Sequence, residues 1–170
     1  MRFAPVAILS LSALAAGMPM AKRQAAGVLA DTTFDAISIS GGTAGNAEAE
    51  ALAVFSKLGA AANVAQSDIK FLNQVNQVAN DAEKEAFNPA IEAATGAEAD
   101  ALAAGKTKNK VLKLTATKLQ LEAKQAQGED VADKLADELK KLNNNIATDK
   151  KNAGQPSTAL PFDATISGGN

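Results

Sequence analysis

Apolar residues recur at helical spacing through most of the chain after residue 45. The first helical segment places four of them on one face, in steps of four, three and four: Ala51, Phe55, Leu58 and Ala62. The next segment carries a longer stripe at near-heptad spacing: Ile69, Leu72, Val75, Ala79, Ala82 and Ala86. This periodicity predicts amphipathic helices that bury their apolar faces against one another.

Two more apolar stripes follow in the second half of the chain. A helix from about residue 106 to 127 carries the first: Leu112, Ala116, Leu119, Ala123 and Ala126. A last helix, opened by Glu129 and Asp130, carries the second: Val131, Leu135, Leu139, Leu142 and Ile146. Gly128 between them is the predicted C-cap, because glycine tolerates the left-handed backbone that ends many helices.

Local signals predict the remaining helix ends. Ser67 is a candidate N-cap for the second helix. Asn88 is expected to cap a short third helix that has Pro89 at its first position. Gly105 is expected to end a short Ala-rich stretch, and the last helix should stop at residues 154–156.

The two ends of the mature sequence read as extended arms, and they share a motif. Residues 34–42 read FDAISISGG, and residues 162–169 read FDATISGG. The repeated positions are Phe34, Asp35, Gly41, Gly42, Phe162, Asp163, Gly168 and Gly169. Three interpretations are open: a binding strand displayed twice, two arms that pair or cover the ends of the bundle, or chance.

Together these elements predict an all-α protein, a small bundle of about four helices with short extended N- and C-terminal arms. The predicted helical domain covers residues 46–154, between an N-terminal arm at 24–45 and a C-terminal arm at 155–170. Its apolar faces are rich in alanine, which lets helices approach closely but buries little area per residue. We therefore expect modest stability.

The first 23 residues carry a different signal. Met1-Arg2 is followed by a run from Phe3 to Ala16 that is apolar apart from Ser10 and Ser12, and this predicts a secretory signal peptide over residues 1–17. Residues 18–23 then form a short propeptide that ends in Lys22-Arg23, a dibasic pair of the kind that Golgi proteases cut after. The expected mature chain is residues 24–170, secreted to the medium or the cell wall.

Composition removes most catalytic chemistry. The chain has no Cys, His, Trp or Tyr. Zinc, copper and iron sites lose their usual ligands, and serine or cysteine triads lose their base or nucleophile. We expect no cofactor and no metal, and only a carboxylate-dependent hydrolase survives as an enzymatic alternative.

Charge adds one candidate surface. Cleavage after Arg23 takes the net charge from −2 to −5, which makes nucleic-acid binding unexpected. Four lysines of the predicted 106–127 helix nevertheless fall near one stripe: Lys106, Lys110, Lys113 and Lys124. Lys108 and Lys118 lie off it. The stripe is either a patch for an anionic surface or a solvated face that pairs with the acidic first half of the chain.

Two stretches of the mature chain carry a family resemblance: ISGGTAGNAEAEA at 39–51 and GKTKNKVLKL at 105–114. With the signal peptide, the Lys-Arg site and the cysteine-free Ala-rich body, they resemble small secreted or cell-wall-associated proteins of filamentous ascomycete fungi. The resemblance implies no catalytic residues. Secretion, the lack of a catalytic constellation and the end arms favour a non-enzymatic protein that contacts a cell-wall polymer or a host protein. The alternative is an amphiphilic helical protein that adsorbs to hydrophobic or membrane surfaces.

Overall fold

The structure is a computed structural model that describes residues 26–168. The predicted signal peptide and propeptide, with Lys22 and Arg23, lie outside the described residues, as does Gly169. The described part is all-α, as predicted, with four two-residue strands at its margins.

Six α-helices follow one another along the chain: α1 Phe34–Ile37, α2 Ala47–Val54, α3 Gln66–Ala82, α4 Asn88–Ala93, α5 Gly96–Ala126 and α6 Ala132–Lys151. A 3₁₀ turn, Ala61–Asn63, precedes α3, and a π-helical turn, Glu83–Phe87, joins α3 to α4. The strands are β1 Thr32–Thr33, β2 Gly42–Thr43, β3 Pro156–Ser157 and β4 Thr165–Ile166. β1 pairs with β4 and β2 with β3, both antiparallel.

The 31-residue helix α5 is the centre of the bundle, and α2, α3 and α6 all pack against it. Most members of the predicted apolar stripes are buried: Ala51, Phe55, Ile69, Leu72, Val75, Ala79, Ala82, Leu112, Ala116, Ala123, Leu142 and Ile146. Ala62 and Ala126 are exposed, and the remaining members are half-buried. Among the described residues, no helix is both long and apolar enough to cross a membrane.

The predicted break at Gly105 is wrong, because α5 runs straight through it. Gly105 is needed there for a tertiary reason. A Cβ at this position would overlap the carbonyl oxygen of Thr158 and lie 3.1 Å from the Phe87 ring. The amide of Thr158 also donates to the carbonyl of Ala101, at 3.0 Å. Glycine therefore lets the C-terminal arm lie directly on the helix backbone.

The predicted N-cap role of Asn88 is also wrong. Asn88 has helical backbone angles, so α4 continues from α3 through the π-helical turn. Pro89 has no amide hydrogen and its ring crowds the preceding turn, and the wider turn just before it accommodates both effects. The proline thus changes the local helix type without ending the helix.

Two smaller boundaries differ as well. The helix predicted to begin after Ser67 begins at Gln66, and its N-cap Ala65 has no side-chain cap. The last helix begins at Ala132, past the predicted openers Glu129 and Asp130. Gly128 does end α5, with φ of +97°. Its amide donates to Gln125, and the next amide donates to Lys124, which completes a Schellman motif.

The N-terminal arm is less extended than its alternating pattern predicts. Residues Phe34–Ile37 form the single helical turn α1. The hydroxyl of Thr33 accepts a hydrogen bond from the amide of Ala36, at 3.4 Å, which favours the turn over a continuous strand. The first helical segment predicted from the apolar pattern is also shorter than expected. It corresponds to α2, which ends at Val54 and leaves Leu58 and Ala62 outside it.

Candidate functional site

The structure brings the two copies of the repeated motif together. β1, just before the first copy, pairs with β4 inside the second copy, with Thr33 opposite Thr165, and the amide of Phe34 donates to the carbonyl of Ala164 at 2.8 Å. The ring of Phe34 is buried and meets the ring of Phe162 edge to face, with centroids 6.2 Å apart. This geometry is the preferred one for two aromatic rings.

The aspartates of the two copies have different environments. Asp35 Oδ1 accepts a hydrogen bond from the amide of Phe162, at 3.0 Å, and so ties the first copy to the second. Asp163 occupies the same place in the second copy and is exposed. The two copies therefore contribute unequally to their contact: the carboxylate of the first copy accepts a hydrogen bond from the backbone of the second.

The described glycines of the motif have different structural roles, and only Gly168 among them permits a close backbone approach. The amide of Gly168 donates to Asp31 Oδ1 at 3.3 Å, and a Cβ there would lie 2.7 Å from the carbonyl oxygen of Ser67. Gly42 has a φ of +82° and pairs with Ser157 across β2 and β3, whereas Gly41 is half-buried. The end of each copy thus packs on the bundle.

A buried lysine, Lys108, anchors the first copy. Its ammonium group donates to the carbonyls of Gly41, at 2.8 Å, and Thr43, at 3.1 Å. It also pairs with Glu50 Oε2 at 2.8 Å. Three partners match the three donors of an ammonium group, which offsets the cost of burying its charge.

Sequence reasoning placed Lys108 off the lysine stripe and assigned it no role. A signal for its position was present. Lys108 lies four residues before Leu112 and seven before Thr115, so all three share the face of α5 that points into the bundle.

Two buried aspartates hold the chain in a similar way. Asp68, on α3, accepts hydrogen bonds from the amides of Val28 and Leu29, with 2.9 Å to the latter. Asp149, on α6, accepts from the amide of Ala47 at 2.9 Å and so caps the N-terminus of α2. Asn46, which occupies the N-cap position of α2, makes no cap hydrogen bond with its own side chain.

The lysine stripe does not form one free cationic patch. Lys106 and Lys113 both face Glu83, with nitrogen–oxygen distances of 3.9 Å and 2.8 Å. Lys124 lies apart from them and pairs with Glu129 at 3.3 Å. Three of the four lysines therefore have acidic partners, and Glu83 comes from the acidic first half of the chain.

Glu83 responds to this surrounding charge. Burial raises the pKa of its carboxyl group. The hydrogen bond from Lys113 and the charges of Lys113, Lys110 and Lys106 more than offset that effect, so the pKa lies below its ordinary value of 4.5. Glu83 thus stays ionised under mildly acidic conditions and neutralises this part of the stripe.

Within residues 26–168, acidic side chains do not gather into a group of three that could hold a metal ion. No curated protein and no solved structure matches the chain. A family model described as a domain of unknown function, DUF8454, matches residues 29–161. The match spans all six helices and ends just before Phe162, so the second copy of the motif lies beyond it. The chain belongs to the DUF8454 family.

Proposed function

We propose that the mature chain is a non-enzymatic protein secreted by a filamentous fungus, and that it acts by surface contact with the cell wall or a host protein. One observation carries the non-enzymatic part. Among the described residues, three charged side chains are buried, Asp68, Lys108 and Asp149, and each binds main-chain groups of the chain itself.

Those bonds matter because a catalytic acid or base must be free to exchange a proton with a substrate. Buried charges that bind the protein's own backbone are engaged in holding the fold. Their engagement leaves recognition to the outer surfaces of the helices and arms, which supports a contact protein over a carboxylate-dependent hydrolase.

The fold also agrees with processing after Arg23. Val28 and Leu29, whose amides Asp68 holds, come only five and six residues after Arg23 in the sequence. The family match begins at the same place, Leu29. Both amides lie on the mature side of the dibasic pair, so cleavage there would keep the residues that Asp68 binds.

Fractionation of a producing culture tests the proposal. An antibody to the mature chain would be used on free medium, washed walls, and salt, detergent and glucanase extracts. We expect a mature form that begins at Gln24, outside the cell, and either wall-bound and released by one treatment or free and captured by a host protein. Retention inside the cell, or hydrolytic turnover abolished by one Asp or Glu substitution, would contradict the proposal.

A second candidate function, adsorption to hydrophobic surfaces, is favoured by the packing of α6. This helix packs chiefly on α5, and Leu135 and Leu139 in its first half are only half-buried. Opening of α6 about Gly128 would expose the apolar faces of both helices. Strong lowering of surface tension by the purified mature chain, with loss of the cooperative thermal transition on contact, would support adsorption. An unchanged transition and no adsorption would exclude it.

A further inference from the structure

A groove of about 400 Å³ lies where the start of α5 meets the end of α6 and β3. Its floor is one face of α5, formed by the small side chains of Ala97, Ala101 and Ala104 at helical spacing. Small-molecule sites commonly enclose about 300–1,000 Å³ and combine apolar surface with a few polar groups. The groove has that size and that composition.

Four polar side chains surround the alanine floor. Asp100 stands on α5, and Lys151, Asn152 and Gln155 stand at the end of α6 and the turn after it. None of the four side chains makes a hydrogen bond or ion pair with another of residues 26–168, and all but Asn152 are exposed. Their donors and acceptors are therefore available to a ligand.

Backbone hydrogen bonds hold the walls of the groove in place. Ala44 donates to the carbonyl of Gln155 and accepts from the amide of Gly154, both at 3.0 Å. Gly154 has a φ of +82°, which turns the chain sharply after α6. On the other side, Thr158 is bonded to Ala101. A groove formed in advance loses little entropy when it binds a ligand.

The lining specifies the chemistry of the ligand. One carboxylate, one ammonium and two carboxamides carry no net charge, so the lining gives no net electrostatic attraction to a strongly charged ligand. They offer both donors and acceptors, which match hydroxyl groups that donate and accept at once. The alanine floor and the Pro156 ring present apolar surface to the C–H groups of a sugar ring.

We propose that this groove binds a short stretch of neutral polysaccharide, built of hexose or N-acetylhexosamine units, through Asp100, Asn152 and Gln155. The inference rests on the proposed wall contact and assigns it a site. β-Glucan and chitin both present this chemistry, and soluble oligosaccharides of each distinguish them.

Nuclear magnetic resonance titration of residues 24–170 with laminaritriose and with chitotriose tests the site. We expect one of them to shift the amide signals of residues 97–104 and 151–156. The double variant Asp100→Ala, Gln155→Ala should weaken binding about tenfold, because it removes two hydrogen-bonding groups. The matched control is Asp133→Ala, Gln125→Ala, which alters the same residue types at exposed positions outside the groove lining and should bind as wild type.

Two results would overturn the groove proposal: no saccharide shifts these signals at millimolar concentration, or the double variant binds as tightly as wild type. Circular dichroism of each variant checks that the fold is retained.

The failures of the two proposals are distinguishable in culture. If the double variant stays on washed walls as fully as wild type, the groove is wrong and the wall role stands. If the wild type binds saccharide but neither walls nor a host protein, the groove stands and the contact function is wrong.

Discussion

The ammonium of Lys108 lies 2.8 Å from the carboxylate of Glu50, and only 1% of the lysine side chain is exposed. The same ammonium binds two carbonyls of the N-terminal arm. This single side chain therefore joins α5, α2 and the first copy of the repeated motif.

Replacement of Lys108 by methionine should destabilise the protein by about 3 kcal/mol, because two arm carbonyls and Glu50, which is itself 37% exposed, lose the buried ammonium group that donates to them. Lys106→Met is the matched control on the same helix. Lys106 is 29% exposed and lies 3.9 Å from Glu83, so its loss should cost under about 1 kcal/mol. Urea unfolding measures both values, and equal losses would contradict the account of Lys108.

Gly105→Ala should destabilise the protein even though alanine favours helices by about 1 kcal/mol over glycine. The new methyl group would overlap the Thr158 carbonyl and displace the C-terminal arm. Gly59→Ala is the control, because nothing lies within 4 Å of the position that its methyl group would take. Thermal unfolding should show a lower midpoint for the first variant and no loss for the second. A more stable Gly105→Ala protein would contradict the close contact.

The unequal aspartates of the repeat offer a matched pair of variants. Asp35→Ala should loosen the C-terminal arm, since Asp35 accepts the hydrogen bond from Phe162. Asp163→Ala alters the same motif position in the second copy and should leave the arm unchanged. Limited proteolysis after residue 155 reports arm release directly. Equal cleavage of both variants would show that Asp35 does not hold the arm.

Lowering the pH should reduce the free energy of unfolding, partly through Glu83. Its pKa is depressed in the folded state, so its contribution is present above the ordinary value of 4.5 and is lost as pH falls through the folded value. Glu83→Gln should therefore be less stable than wild type near pH 7, and the difference should shrink below pH 4.5. The exposed Glu92→Gln is the control. Denaturant unfolding across this pH range measures the difference in unfolding free energy between the variant and wild type. A difference that grew on acidification would contradict the predicted direction.

The apolar stripes were enough to predict an all-α bundle and most of its buried positions, because helix burial repeats at regular spacing. The wrong boundaries had tertiary causes. Gly105 signals a helix end in isolation, yet it fits the crossing of an arm that comes some fifty residues later. Asn88-Pro89 resembles a helix start, and only packing decides that the chain continues through a π-helical turn.

The buried charges were harder to predict from sequence than the apolar core. Asp68 and Asp149 look like ordinary helix-surface acids, and their partners are main-chain amides 39 and 102 residues away. Backbone amides have no sequence signature, so no local pattern reveals such bonds. The repeated motif was visible at once, but its contact between Phe34 and Phe162 depends on how the whole bundle brings the chain ends together.

Hydrogen exchange of the mature chain tests most directly the claim that buried charges hold both the arm and the bundle. The decisive amides are those of Val28 and Leu29, bound by Asp68, and of Ala47, bound by Asp149. The account predicts that they exchange slowly, with protection that Asp68→Ala removes at Val28 and Leu29 alone. Exchange of these amides at the rate of an unstructured peptide would contradict it.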